Sequence, residues 1–375
     1  MFTTSSRSSS SSAIGNDNSN ASNRFKTVRT VLRQSSRQSS RQRSSLSDVT
    51  TDDVDDTNES GMDLMMTTNE ESDSTGSFED YAEEELIEIM RRKYNCTATT
   101  RATTDTGVRE EKIDKKFERM SGTVNGVDIA TETKVFTVAR KISRLRMTKV
   151  DGGKIARAMN VVIVPNEEFN PKAPMLGIDV LNFGSGKNVL IGVDYHPLLL
   201  IDGDDVLARM QRRVQRDLAQ KYAIKLNKTE PSEKFYKDTK GYFSEEMFFA
   251  RPVDQTCFDI IITENDYDKD KDNDGKIKSR CVVVELMKEF LVAYLEILDA
   301  HERAYAMQEK TEEERKKDKH RFLEKVSKHD KWQMQMDPSI KMFSRWYGEK
   351  LSKEYAEEIL FPGAKMKISD ESILT

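Results

Sequence analysis

Two runs of alternating aliphatic and β-branched residues flank a short turn between Pro174 and Leu200. The turn is Gly-Ser-Gly-Lys at 184–187, and the pattern predicts a β-hairpin. Each run contains one carboxylate, Asp179 in the first and Asp194 in the second. Burying an unpaired charge is costly unless the group keeps its proton. A carboxyl group held in a mostly apolar sheet is therefore a candidate proton donor.

The same strand-like alternation extends upstream of the hairpin, from Gly122 to Pro165, with turns such as Gly152-Gly153 between the runs. Strand-like runs joined by short turns predict an antiparallel meander rather than βαβ units. A further short run with strand character covers Gly241–Pro252.

Apolar residues at helical spacing predict helices on both sides of these strands. The first is Phe78–Lys93, which has acidic residues early and basic residues late, as the helix dipole favours. Later helices are predicted at Asp204–Tyr222, Cys281–Met307, Thr311–Met336 and Ser339–Leu360. Strands in the middle and helices on both flanks predict an α/β fold, a three-layer α-β-α sandwich with a central, mainly antiparallel sheet.

Composition divides the chain of 375 residues into three parts. Residues 1–77 are rich in Ser, Thr, Asn, Arg and Asp, and this composition predicts disorder. Residues 78–120 hold the N-terminal helix and a polar linker, and residues 121–375 form the main domain, interrupted by an acidic insertion at 264–280. The basic, Ser-rich start resembles an organelle transit peptide, and a low-complexity tail is the alternative.

The composition also limits which partners and which redox compartment are expected for the protein. The net charge of −5 is mild, and no apolar run reaches the length of a membrane span. We therefore predict neither a nucleic acid nor a membrane as a partner, and we expect a monomer. Three widely separated cysteines without a CxxC motif favour a reducing compartment and argue against disulfides or a zinc site.

Two motifs imitate ligand sites. The turn at 184–187 resembles part of a phosphate loop, but Leu181 replaces the first glycine and Asn188 replaces the hydroxyl ligand. Residues 270–277 copy the start of a calcium loop, but Cys281 stands where a bidentate Glu is needed. We interpret the first as a hairpin turn and the second as a solvated acidic insertion.

The other chemistry-bearing residues form no familiar constellation. No GxGxxG sequence opens a helix, so a dinucleotide-binding fold is not predicted. The histidines do not share metal-ligand spacing. Three of them lie on charged helices, where we expect surface positions: His301, His320 and His329. We predict no bound metal and no bound cofactor.

Five segments in order resemble the ferredoxin-dependent bilin reductases of cyanobacteria, algae and plants. They are RLRMTKVDGGKIARAMNVVIVP, PMLGIDVLNFG, LIGVDYHPL, YFSEEMFFARP and DPSIKMFSRWYGEKLSKEYAEEILFPG, within residues 136–363. The resemblance implies an α-β-α sandwich with a tetrapyrrole pocket between the sheet and the C-terminal helices. It also implies that external reduced ferredoxin passes single electrons directly to bound biliverdin IXα, while the protein supplies protons.

Carried over residue by residue, the resemblance places Asp179, Asp337 and Asn160 at catalytic positions, with the two aspartates as proton donors and the amide of Asn160 orienting the substrate or a water. Asn160 falls where the phycocyanobilin-forming branch has a catalytic histidine, and Thr148 lies about where that branch has a glutamate. These departures argue against that branch. For Asp337, which precedes Pro338, a helix N-cap role is the alternative.

Asp together with Asn resembles family members that either reduce the C15=C16 bridge of biliverdin or make phycoerythrobilin, and the leading hypothesis is reduction of biliverdin IXα to 15,16-dihydrobiliverdin. A reductase that converts this product to phycoerythrobilin, a tetrapyrrole carrier without catalysis, and a signalling scaffold are the alternatives. For localisation, the leading hypothesis is the plastid stroma. A second bilin reductase is a candidate partner.

The substrate's two propionates need cationic partners. The candidates are Arg144, Arg146 and Arg251. We expect Asp194 to be structural. Ferredoxins are acidic, so a basic face should attract them, and the candidates for it are Lys154, Arg157, Arg212 and Arg213.

Overall fold

The computed structural model describes residues 77–95, 107–153, 155–183, 188–197, 206–239, 241–262 and 279–367. Outside these residues lie residues 1–76 of the predicted disordered tail, the turn at 184–187, Lys154 and most of the acidic insertion. Within the described residues, no helix is long and apolar enough to cross a membrane.

An antiparallel sheet of eight strands forms the centre of the fold. The strands run in the spatial order β1-β3-β4-β5-β6-β7-β8, and β2 pairs with β3. They are β1 (Val108–Glu111), β2 (Arg119–Val124), β3 (Val127–Val138), β4 (Ile142–Asp151), β5 (Ala156–Pro165), β6 (Met175–Phe183), β7 (Asn188–His196) and β8 (Phe248–Ala250). The predicted meander and hairpin are thus present. A separate ribbon pairs β9 (Ile261–Ile262), just before the predicted insertion, with β10 (Ser279–Arg280), which is formed by the last two residues of the insertion.

Helices surround the sheet. They are α1 (Phe78–Asn95), α2 (Lys115–Glu118), α3 (Val206–Tyr222), α4 (Glu233–Thr239), α5 (Val282–Ala306), α6 (Glu312–Met336), α7 (Pro338–Tyr347) and α8 (Glu349–Tyr355). A π-helical turn at Ala356–Leu360 continues α8. The segment expected to hold only a helix and a linker also contains β1, which pairs with β3, and α2.

The last predicted helix is broken at Gly348. Its φ of 85° lies in the left-handed region, which glycine adopts without a steric penalty, and its N–H donates to the carbonyl of Ser344. The single helix predicted over Ser339–Leu360 is therefore two α-helices with a sharp change of direction between them.

Two layers of helices cover opposite faces of the sheet. On one face, α1 and α5 pack on a continuous apolar surface that includes Leu145, Met147, Met159, Val161, Ile163, Leu176, Ile178 and Val180. We call this the apolar face. On the other face, Phe322 and Val326 of α6 pack on Met175, and residues of α7 and α8 pack near Val150 and Ala158. We call this the polar face, because the site described below lies on it. The predicted α-β-α sandwich is confirmed.

Candidate active site

The register of four neighbouring strands creates a row of side chains across the polar face. Thr148 of β4 lies opposite Asn160 of β5, which lies opposite Asp179 of β6, which lies opposite Gly192 of β7. Directly opposite residues in an antiparallel sheet project from the same face. Two residues 19 positions apart in the chain, Asn160 and Asp179, are therefore neighbours.

A hydrogen-bonded chain connects this row to a buried arginine. Nη2 of Arg146 donates to Oδ1 of Asn160, and Nδ2 of Asn160 donates to Oδ1 of Asp179. Arg146 is only 4% exposed, whereas Asn160 and Asp179 are half-buried. A guanidinium has no acceptor, so the amide oxygen must face Arg146 and the amide nitrogen must face Asp179. Because Oδ1 of Asp179 accepts this bond, Oδ2 is the oxygen that can carry a transferable proton.

Burial raises the pKa of Asp179 to about 6. The hydrogen bond from Asn160 and the charge of Arg146 lower this pKa, while the negative charge of Asp337 raises it. A carboxyl group with a pKa near the working pH can both hold and release a proton. The arrangement is suited to general-acid chemistry at this position.

Asp337 lies at the junction of α6 and α7. Its Oδ1 accepts the backbone N–H of Ser339 at 2.8 Å, and Pro338 occupies the first turn of α7. The residue is therefore the helix N-cap that the Asp-Pro pair indicated. It is half-buried, and its charge acts on both Asp179 and Arg146. The structure thus brings the two predicted aspartates into one electrostatic environment.

The three predicted substrate-binding arginines have different environments. Arg144 is half-buried and donates to the carbonyl of Ile359, and burial lowers its pKa to about 10, with repulsion from Arg146 acting in the same direction. Nε and Nη1 of Arg146 are buried and have no acceptor among the described residues. Arg251 is exposed after β8, where its guanidinium carbon lies 5.9 Å from the ring centre of Phe249.

Asp194 has a full set of hydrogen bonds. This carboxylate is buried and accepts from the hydroxyl of Ser244, from the backbone N–H of Ser244 at 2.9 Å and from Nε2 of Gln215 at 2.7 Å. It connects β7 to α3 and to the segment before β8. The contacts agree with the structural role expected for it.

Two buried histidines form a pair that was not predicted from the sequence. Nδ1 of His196 lies 3.1 Å from Nε2 of His329, and both rings are buried. Burial and the nearby His329 hold the pKa of His196 well below its usual value. His329 follows Phe322 and Val326 at helical spacing, so it belongs to the inward stripe of α6. That spacing was the available signal.

The expectation that three histidines lie on the surface is therefore wrong. His301 is also buried, among the inward residues of α5, and His320 is half-buried. Tyr355 is a second missed residue: its hydroxyl lies 2.6 Å from Thr133 Oγ1 and 3.3 Å from Thr148 Oγ1, beside the row that contains Asp179. No spacing in the sequence indicates this contact, because it depends on how α8 crosses the sheet.

A family model described as ferredoxin-dependent bilin reductase matches residues 96–267 and 271–362. The chain belongs to this family. The resemblance noted in the sequence is thereby confirmed, and the family's dependence on ferredoxin implies that the electrons come from an external donor.

Individual relatives agree with the family assignment. The chain is 25% identical over 265 residues to the 15,16-dihydrobiliverdin:ferredoxin oxidoreductase of Gloeobacter violaceus, covering 68% of this chain and 92% of that protein. It is 25% identical over 230 residues to the enzyme of the same name from Nostoc punctiforme, covering 60% and 76%. Tomato phytochromobilin synthase, solved in complex with biliverdin, is 18% identical and superposes with a TM-score of 0.52 over 78% of this chain and 86% of that one. This last match supports the shared bilin reductase fold.

Proposed function

We propose that the protein reduces biliverdin IXα to 15,16-dihydrobiliverdin with reduced ferredoxin as the electron donor. The observation that supports this most directly is the hydrogen bond between Asn160 and Asp179, which combines a carboxyl proton donor with an amide in place of a second titratable group. The relatives from Gloeobacter violaceus and Nostoc punctiforme carry the name of this reaction.

The proposed reaction adds two electrons and two protons across the C15=C16 bond of the bilin. Each of two reduced ferredoxins gives up one electron and is oxidised. The first electron converts the bilin to a radical anion, which is more basic than its parent and takes a proton from Oδ2 of Asp179. The second electron and a second proton complete the reduction. The second proton comes from solvent: Asp337 takes it up and passes it on, directly to the bilin or by reprotonating Asp179.

Asn160 and Arg146 prepare the donor rather than supplying the proton. An amide does not act as an acid near neutral pH, but the hydrogen bond of Asn160 fixes the orientation of the Asp179 carboxyl group. Arg146 in turn fixes the amide. A general acid contributes only when its proton is within reach of the reacting atom, so this orientation is part of the proposed mechanism.

The cations of the site would hold the acidic side chains of the substrate. Nε and Nη1 of Arg146 are buried donors that need an acceptor oxygen, and a substrate carboxylate would supply it. Arg144 lies two residues away on the same face of β4. Arg251, which is exposed, would contribute only to a propionate that extends to the surface near β8.

An anaerobic assay with the full-length protein tests the proposal. Biliverdin IXα and reduced ferredoxin are added, the absorbance spectrum is followed, and the product is identified by chromatography against standards. We expect biliverdin to be consumed and 15,16-dihydrobiliverdin to accumulate. Consumption of 15,16-dihydrobiliverdin alone, with phycoerythrobilin as the product, would replace the proposal with its alternative. If a bilin binds but neither bilin is consumed, the protein is a carrier. If neither bilin binds, both are excluded as ligands.

We also propose that the protein acts in the plastid stroma. The support is the Ser- and Arg-rich composition of the first residues, in which Asp17 is the only acid before Asp48. A fluorescent protein fused behind residues 1–77 should enter plastids, and one fused behind the same residues with every Arg replaced by Glu should not. Equal cytosolic fluorescence from both fusions would contradict the proposal.

A further inference from the structure

Positively charged side chains surround the junction of α6 and α7. Between Glu324 and Glu349 the chain has five Lys or Arg residues and only two acidic ones, so this stretch has a net charge of +3 in a chain of net charge −5. The two acids are Asp330 and Asp337, whose carboxylates accept the backbone N–H groups of Gly363 and Ser339, both at 2.8 Å. Lys328 has an ion-pair partner in Glu324, at 2.6 Å, but neither Asp330 nor Asp337 forms an ion pair with any of the five cations in the described part of the chain.

Three of these cations are exposed and make no ion pair with any residue that the structure describes. They are Lys331, Lys341 and Arg345. Lys341 and Arg345 are one turn apart on the same side of α7, away from Phe343, which packs edge-on against Tyr355 with ring centres 5.5 Å apart. Met336, which is 47% exposed, lies between Lys331 and Lys341 in the sequence. We call Lys331, Met336, Lys341 and Arg345 the basic corner.

The basic corner is where the surface meets the candidate active site. Asp337 lies between its residues in the chain, is half-buried, and raises the pKa of Asp179 through its charge. A donor protein that gives electrons directly to a bound substrate must approach that substrate closely, because electron transfer weakens steeply with distance. The described surface next to Asp337 meets this requirement.

We propose that the basic corner is the docking surface for an acidic iron–sulfur donor protein, the ferredoxin of the proposed function, on which this inference rests. Exposed Lys and Arg side chains would attract the acidic surface and orient it, and Met336 would add a desolvated apolar contact. The attraction should weaken with salt, since exposed charges are screened.

The cations that the sequence alone suggested are less suitable as a ferredoxin docking surface. Arg157 forms an ion pair with Glu79 of α1 on the apolar side of the sheet, so it lies away from Asp179. Arg213 lies 3.8 Å from Asp217, and Glu246 interacts with the charges of Arg212 and Arg216. The positive charge of α3 is thus partly neutralised.

A pair of charge reversals with a matched control tests the inference. The test variant is Lys341→Glu with Arg345→Glu, and the control is Lys316→Glu with Lys317→Glu. The control residues are also exposed, but they lie near the start of α6, about 30 Å along the helix axis from Asp337. Both variants reverse two charges, so a general change in net charge affects them equally.

Steady-state assays with varied reduced ferredoxin and separate titrations with biliverdin give the readouts. We expect the test variant to raise the KM for ferredoxin by about tenfold at low salt, with an unchanged kcat, unchanged bilin affinity and little difference from wild type at high salt. The control should stay within about twofold of wild type. An unchanged KM in the test variant, or an equal rise in both variants, would overturn the inference.

Direct binding separates this inference from the proposed function. Calorimetry of oxidised ferredoxin with the full-length protein needs no turnover. If wild type consumes no bilin yet binds ferredoxin in a way that the test variant loses, the docking surface stands and the proposed function fails. If turnover is normal and the test variant binds ferredoxin as wild type does, the docking surface fails and the function stands.

Discussion

The same strands form both faces of the central sheet, but one face packs in the hydrophobic core and the other carries the candidate active site. On β5, Met159, Val161 and Ile163 project into the apolar core under α1 and α5, while Asn160 projects from the polar face. On β6, Asp179 lies between Ile178 and Val180, both fully buried on the apolar face. Alternation with a period of two allows one strand to serve a core and a site at once.

The comparison shows how a polar site is held in register without a polar core. The residues on either side of Asp179 are fixed by packing on the opposite face, so the carboxyl group keeps its position although it is only half-buried. A functional group carried on a packed element is placed more precisely than one on a loop. The apolar face therefore determines the geometry, and the polar face determines the chemistry.

The strongest test of this division removes the proton donor from the polar face. Asp179→Asn keeps the shape of the side chain but cannot release a proton, so we expect turnover to fall by about 100- to 1,000-fold while biliverdin still binds. Electron paramagnetic resonance of the reduced mixture should detect accumulated bilin radical. Asp128→Asn, at an exposed position near the start of β3, is the control. Turnover within tenfold of wild type would contradict the assigned role of Asp179.

The complementary test damages the apolar face. Leu176 is fully buried and packs in the core beneath β6, so Leu176→Ala should lower the free energy of unfolding by about 2–5 kcal/mol. Denaturant titration measures this loss. At a temperature where the variant is still folded, its affinity for biliverdin should stay close to that of wild type. A large loss of affinity would mean that the two faces are not separable.

A third test changes the pH dependence instead of the rate alone. Transfer from Asp179 requires its protonated form, so the single-turnover rate should fall as pH rises through about 6. The hydrogen bond from Asn160 lowers this pKa, so Asn160→Leu should move the fall to higher pH, by about one unit. Stopped-flow measurements between pH 5 and 8 would detect it. A shift to lower pH would contradict the assigned hydrogen bond.

The smallest expected effect concerns stability. Since the pKa of Asp179 is raised in the folded state, its contribution to stability is fully present at low pH and is lost as pH rises through about 6. Asp179→Asn removes this loss. Because the site is half-buried, we expect the free energy of unfolding of the variant to exceed that of wild type by about 1 kcal/mol at pH 8 and to change little at pH 4. Thermal unfolding at both values checks the sign. Destabilisation at pH 8 would show that the ionised carboxylate is well accommodated.

Much of the fold follows from local patterns, but the site depends on contacts between distant segments. Alternation predicted the hairpin and the position of Asp179 within it, because a carboxylate in an apolar strand stands out in the sequence. The bond from Asn160 to Asp179 depends on the register of β5 against β6. The residues 166–174 between these strands have no periodicity that specifies this register. Similarly, the contact of His196 with His329 joins residues on a strand and a helix that are far apart in the chain.

A single glycine explains why one helix was predicted where the structure has two. Gly348 lies inside an otherwise helical pattern, and its tolerated left-handed conformation splits the predicted last helix. Arg144 and Arg146 lie within a central strand, whereas Arg251 comes directly after β8. Because β8 is short and lies at the sheet edge, Arg251 is exposed to solvent. Whether a cation faces the site or the solvent is thus decided by tertiary position.

Two glycines on the polar face differ in what a methyl group would meet. At Gly177 it would collide with the His196 ring, which is in contact with His329, whereas at Gly192 its nearest neighbour is the terminal methyl of Met247, at 3.1 Å. A flexible thioether can move aside where a trapped imidazole cannot. A methyl group at Gly192 would therefore reduce the space beside Asp179 after only a small shift of Met247, whereas one at Gly177 would require the two histidine rings to move.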